Sequence, residues 1–290
     1  MEFYLLTELS IFALFIFILY HAYKIRRLDF LLYSTIFATL FENLHVMILS
    51  GVGGYIYNPV FTVFVFRTPL FVILSWGILL FSSVNLVEKI TSDKLSKIFL
   101  VPIFTVIIDF LMEPVAVHLH FWTWIGFESG LKIAPANFIG WIGVSFGFIL
   151  FYEYLSAKWL SSFLSYAGFL VVGASGFILN SVFALNDSGT YILVALYSFV
   201  FLALGIYFAR TDIAKIFGGH KKRKNDISKF FRENIFILFP RGLFYSFSIV
   251  MLIYLGLILS FDVLVVVISV VLLETIFWVI GSLRFGSESS

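Results

Sequence analysis

Stretches of about 20 apolar residues, each set off by a short polar island, follow one another along this chain. A helix of that length crosses a hydrocarbon core roughly 30 Å thick. Lipid offers no partner to a backbone N–H or C=O, so each such stretch must bond within itself as an α-helix. The runs lie near residues 5–23, 29–50, 61–88, 97–117, 136–157, 159–184, 190–209, 235–259 and 261–283. Composition agrees: 61% of residues are hydrophobic and 12% charged, against roughly 45–50% and about 25% in soluble chains. A soluble globule is excluded. The expected fold is all-α, a polytopic helical membrane bundle of nine spans forming one domain over residues 1–290, with a basic loop at 210–234. No internal repeat is visible, which weighs against an inverted-repeat transporter.

Orientation follows from the loops. All of the 19 Lys and Arg except Arg67 and Lys132 fall at turns after odd-numbered spans, from Lys24, Arg26 and Arg27 through Lys89, Lys94, Lys97 and Lys158 to Arg241 and Arg284. The positive-inside rule then puts the N-terminus outside and the C-terminus in the cytoplasm of a plasma membrane. The Lys221-Lys222-Arg223-Lys224 cluster beside a span reads as topogenic and lipid-facing, with no nucleic-acid partner. Glu2 and Glu8 stand at the head of the first run without a Lys or Arg, so that run is expected to stay as a span rather than leave as a signal peptide.

An ionisable side chain near the middle of a span costs roughly 2.5–3.5 kcal/mol on insertion scales and marks function by default. Glu42, Arg67, Asp109, Glu113, Glu153 and Glu274 qualify. At about 1.5 Å per residue, Glu42, Asp109 and Glu113 rise about 20, 18 and 24 Å from the cytoplasmic end, and Arg67 lies about 9 Å below the outer end. These four are expected to converge in the outer half, with Glu153 and Glu274 on the inner side and outside the site. Asp109 and Glu113, four apart, share one helix face. Pro114, next along, loosens the helix by displacing the Phe110 carbonyl. Two neighbouring carboxyls in a dry place rarely both ionise, so the pair offers a general acid beside a general base. A helix kink with one carboxylate paired to Arg67 is the structural alternative.

Other chemistries find little support. The chain has no Cys and five His, which removes thiolate nucleophiles and Cys-held metals. Glu42-Asn43-Leu44-His45 has the Glu-x-x-His spacing of carboxylate di-iron helices, but it occurs once, and no metal is expected. Nucleotide-binding and hydrolase motifs are lacking, and no late span carries a buried Lys for a retinal Schiff base.

The stretch from Asp109 to Trp141 carries a resemblance. Its order, Asp109-x-x-x-Glu113-Pro114, then Trp122-x-Trp124, then Asn137-Phe138-x-Gly140-Trp141, resembles the core of the membrane-embedded carotenoid hydratases, which include bisanhydrobacterioruberin hydratases of archaea and bacterial carotenoid 1,2-hydratases. The chain departs from that pattern at Pro135, which is displaced by one position. The resemblance implies addition of water across the terminal double bond of an acyclic carotenoid end group, by a carbon–oxygen lyase without a cofactor. It also marks Asn137 as orienting water or substrate, and Trp122, Trp124, Phe138 and Trp141 as substrate-binding.

The residue types suit that chemistry on their own terms. Hydrating a trisubstituted alkene needs a proton donor, a face that steadies a tertiary carbocation, and an activated water. A protonated carboxyl supplies the first. Aromatic rings supply the second by cation–π attraction, worth up to about 2 kcal/mol when desolvated, and the other carboxylate holds the water. Asp109 and Glu113 are thus the expected acid/base pair, with Glu42 and Arg67 as electrostatic partners. The polyene would lie in lipid against aromatic-rich helices, with membrane lipids and other enzymes of the pathway as partners. A cofactor-free isoprenoid cyclase or isomerase would use the same acid and exclude water; a proton-coupled transporter would also bury carboxylates.

Overall fold

The computed structural model describes residues 2–49, 54–127, 131–218 and 234–288. Among them, nine helices are long and apolar enough to cross a membrane, so the chain is a multi-pass membrane protein. They are α1 (Glu2–Lys24), α2 (Leu28–Leu49), α3 (Leu70–Glu88), α4 (Lys94–His118), α5 (Ala136–Tyr154), α6 (Ser161–Val182), α7 (Asp187–Gly218), α8 (Ile235–Tyr254) and α9 (Phe261–Glu288). Four short strands, β1 (Tyr55–Tyr57), β2 (Phe64–Val65), β3 (Thr68–Pro69) and β4 (Trp122–Trp124), lie in the connections.

A helix that is apolar on every side belongs at the centre of such a bundle, and α3 takes that place. Every residue from Phe71 to Val87 is buried, under α1, α2, α4 and α8. Next to it runs α4, begun by Asp93, whose carboxylate accepts the Ser96 N–H at 2.7 Å, and interrupted by Pro102 and Pro114. The outer helices keep large apolar side chains such as Leu6, Val171, Phe177 and Ile192 exposed, as lipid-facing surface requires. Where α5 meets α6 the backbones touch: a Cβ on Gly147 would come within 2.3 Å of the Ser165 carbonyl oxygen. Small residues allow this close approach, which lets α6 pack directly on α5.

The two ends of the bundle differ. At one end the C-termini of α3 and α5 meet the start of α4 and the α1–α2 turn in a charged network. There Arg27 pairs with both oxygens of Glu88 at 2.5 and 2.8 Å. Lys97 bridges Glu88, at 3.5 Å, and Glu153. This is the basic end. At the other end β1 pairs antiparallel with β4, matching Tyr55 to Trp124, Ile56 to Thr123 and Tyr57 to Trp122. This ribbon is tied down by the Tyr4 hydroxyl donating to the Leu119 carbonyl at 2.9 Å and by the Asn58 side chain donating to the His120 carbonyl at 2.8 Å.

Three sequence boundaries move. The run read as a span from residue 61 becomes helical only at Leu70, because Pro69 caps α3 and holds the residue before it out of the helical region. Residues 64–69 form a tight hairpin instead. The seventh helix continues to Gly218, so the first residues of the expected basic loop are helical, and residues 219–233 of that loop lie outside the described residues. Arg241, counted among the turn residues, sits inside α8 and is 1% exposed.

Candidate active site

Alternation along an extended chain puts every second side chain on one face, and both ribbon strands are aromatic at alternate positions. Tyr55, Tyr57, Trp122 and Trp124 therefore point together into the bundle, while Ile56 and Thr123 face away and are exposed. Beneath them lie two buried carboxyls. Glu42 of α2 accepts hydrogen bonds from the hydroxyls of Tyr55 and Tyr57, the latter at 2.6 Å, and from the indole N–H of Trp76 in α3 at 2.6 Å. Glu113 of α4 accepts from the indole N–H groups of Trp122 at 2.9 Å and Trp124 at 2.5 Å. Burial, and then the Glu42 carboxylate, push the phenols of Tyr55 and Tyr57 well above the usual tyrosine range, so both remain donors.

Asp109 completes the group from one turn below Glu113 on the same face of α4. It is 2% exposed, and its Oδ2 has no hydrogen-bond partner among the described residues. No ion pair joins Glu42, Asp109 or Glu113 to a Lys or Arg among the described residues. The two α4 carboxyls thus have opposite surroundings. Two donor-only indoles face Glu113 and favour its anion, since a carboxylate is an acceptor at every lone pair. An Oδ2 without a donor is best served by the neutral acid, which carries no charge to be solvated.

The aromatic residues marked in the sequence fall into three places. Trp122 and Trp124 offer N–H donors to Glu113, whereas their ring faces were the expected contribution. Trp141, half-buried on α5, stacks on Trp76 at 3.8 Å between ring centroids and 23° between planes. Phe138 is buried and packs edge-on against Phe110 at 4.6 Å, the residue after Asp109. Asn137 is half-buried in the first turn of α5.

Arg67 is not brought to the carboxyls. It lies exposed in the turn between β2 and β3, and its backbone N–H donates to Asn43 Oδ1 at 2.9 Å. The expected pairing fails because span 3 begins three residues further on. Glu153 and Glu274 stand apart from the site, as expected. Glu153 belongs to the basic-end network; Glu274 of α9 pairs with Arg241 at 2.5 and 2.8 Å. That guanidinium also donates to Ser83 Oγ and the Phe104 carbonyl, both at 2.9 Å. Sequence reasoning missed Tyr55, Tyr57 and Trp76. The period-two echo between Tyr55-Ile56-Tyr57 and Trp122-Thr123-Trp124 was the available signal for the first two.

Comparison with known proteins agrees with this membrane setting. No curated protein and no solved structure matches the chain. The profile of a family described as carotenoid biosynthesis protein matches residues 3–206, a segment that contains α1 to α6, most of α7, the ribbon and every carboxyl of the site. The chain therefore belongs to the carotenoid biosynthesis protein family.

Proposed function

We propose that this protein adds water across the terminal double bond of an acyclic carotenoid end group, giving a tertiary alcohol. The observation that carries the reading is the contrast within one helix turn: Asp109, a buried carboxyl whose Oδ2 has no donor among the described residues, beside a carboxylate held by two indoles, Glu113. The Asp109 carboxyl gives its proton to the CH carbon of the terminal double bond, and the π electrons form the new C–H bond. The cation left on the tertiary carbon is steadied by nearby carboxylate charge and by the ring face of Trp141 that Trp76 does not cover. A water oxygen forms the C–O bond and its proton passes to Glu113. One proton transfer from Glu113 back to Asp109 restores the start, so the cycle needs no external acid and no redox partner.

The polyene enters sideways from lipid, and Asn137 at the start of α5 orients the end group or the water. The basic end faces the cytoplasm of the plasma membrane, which places the ribbon on the outer side. Expression in a lycopene-making bacterium tests the reading. Pigments heavier by one or two waters are expected. Unchanged pigment counts against an enzyme of this end group, and an isomer of unchanged mass favours cyclisation or double-bond migration.

A further inference from the structure

We propose that His45 holds the water that adds to the end group, a role that rests on the hydration reading above. The residue lies on α2 one turn beyond Glu42, about 4.5 Å nearer the ribbon. It is 7% exposed, and its Nδ1 has no hydrogen-bond partner among the described residues. Its ring stacks on Tyr55 at 5.2 Å and 26°, with Phe41 at 5.6 Å and Phe169 at 6.0 Å closing the other sides. A buried ring nitrogen without a partner is costly, and a polar atom in that position ordinarily carries a buried water.

The rest of the site leaves water few other places. Tyr55, Tyr57, Trp76, Trp122 and Trp124 already direct their donors at Glu42 and Glu113. Among the described residues, His45 Nδ1 and Asp109 Oδ2 are the buried polar atoms of this group without a hydrogen-bond partner. A water donating one hydrogen to His45 Nδ1 keeps the other for the Glu113 carboxylate and a lone pair for the cation. Glu113 lies close to this position, because Tyr55, which stacks on His45, also packs at 4.8 Å against Trp124, whose N–H is on Glu113. His45 accepts a hydrogen bond and stays neutral throughout. The C–O bond forms from the water oxygen, and the released proton goes to Glu113.

Without a held water the cation has one other exit: an adjacent carbon loses a proton to a carboxylate and the alkene returns. In heavy water the returned alkene carries deuterium, so the two exits are counted separately by mass spectrometry. His45→Phe keeps the stack on Tyr55 and removes the nitrogen. It is expected to lower alcohol formation about tenfold, the equivalent of one hydrogen bond, while deuterium uptake into the alkene stays near wild type. His45→Gln returns an acceptor and should recover part of the alcohol. A parallel fall in both products, or no change in either, overturns the assignment. A wild-type protein that takes up deuterium but forms no alcohol removes the hydration reading itself and this role with it.

Discussion

Asp109 and Glu113 are four residues apart and chemically alike, yet their neighbours differ: two indoles donate to Glu113, and Asp109 Oδ2 has no donor among the described residues. Replacing either with its amide keeps shape and removes the exchangeable proton. Asp109→Asn and Glu113→Gln are therefore expected to lose about a hundredfold to ten-thousandfold in hydration rate with normal yields of folded protein in detergent; near-wild-type rates in both would make the pair structural. The three carboxyls could be read from the sequence because a charge inside an apolar run is conspicuous whatever surrounds it. Their partners could not. Tyr55, Tyr57 and Trp76 are ordinary membrane residues until the fold aims their donors. Arg67 drew attention as a charge in an apolar run, but the helix of that run begins only after Pro69.

At the level of elements, the ribbon and the α8–α9 pair carry separable roles. The β1–β4 ribbon is a fixed cover that holds Glu113, since all four inward side chains are committed to carboxylates. Ile56 and Thr123 are paired and face away, and opposed Cβ atoms in such a pair are about 4.5–5.5 Å apart. A disulfide between Ile56→Cys and Thr123→Cys, in a chain with no Cys of its own, should leave activity near wild type in its oxidised form. Loss that a reductant reverses would show that the ribbon must open. Arg241 and Glu274 instead pin α8 and α9 to α3 and α4. Removing one partner strands a buried charge, so Arg241→Met should lower stability by about 3–5 kcal/mol, and pairing it with Glu274→Leu should recover most of that. Thermal unfolding in detergent, followed by tryptophan fluorescence, measures both. The nine helices were legible because lipid imposes length and apolarity on each. The strands were not, because two or three residues in a connection carry too little pattern.

On the scale of the whole molecule, the charged network joins helix ends at one side and the ribbon closes the other, so the buried carboxyls beneath the ribbon and the basic network occupy opposite ends. A reporter fused at Gly219 should read cytoplasmic and one near Ser188 external; both on one side would contradict the expected orientation. The family match covers residues 3–206, and the site lies wholly within it, while α8 and α9 dock from outside through Arg241. The claim on which function turns is that the oxygen of the product comes from water added at Asp109 and Glu113. The most direct measurement is turnover of the purified protein with an acyclic carotenoid in water labelled with heavy oxygen. Hydration predicts one labelled oxygen for each end group converted by the wild type and little product from Asp109→Asn. Unlabelled alcohol, or labelled alcohol formed at equal rates by both proteins, would contradict it.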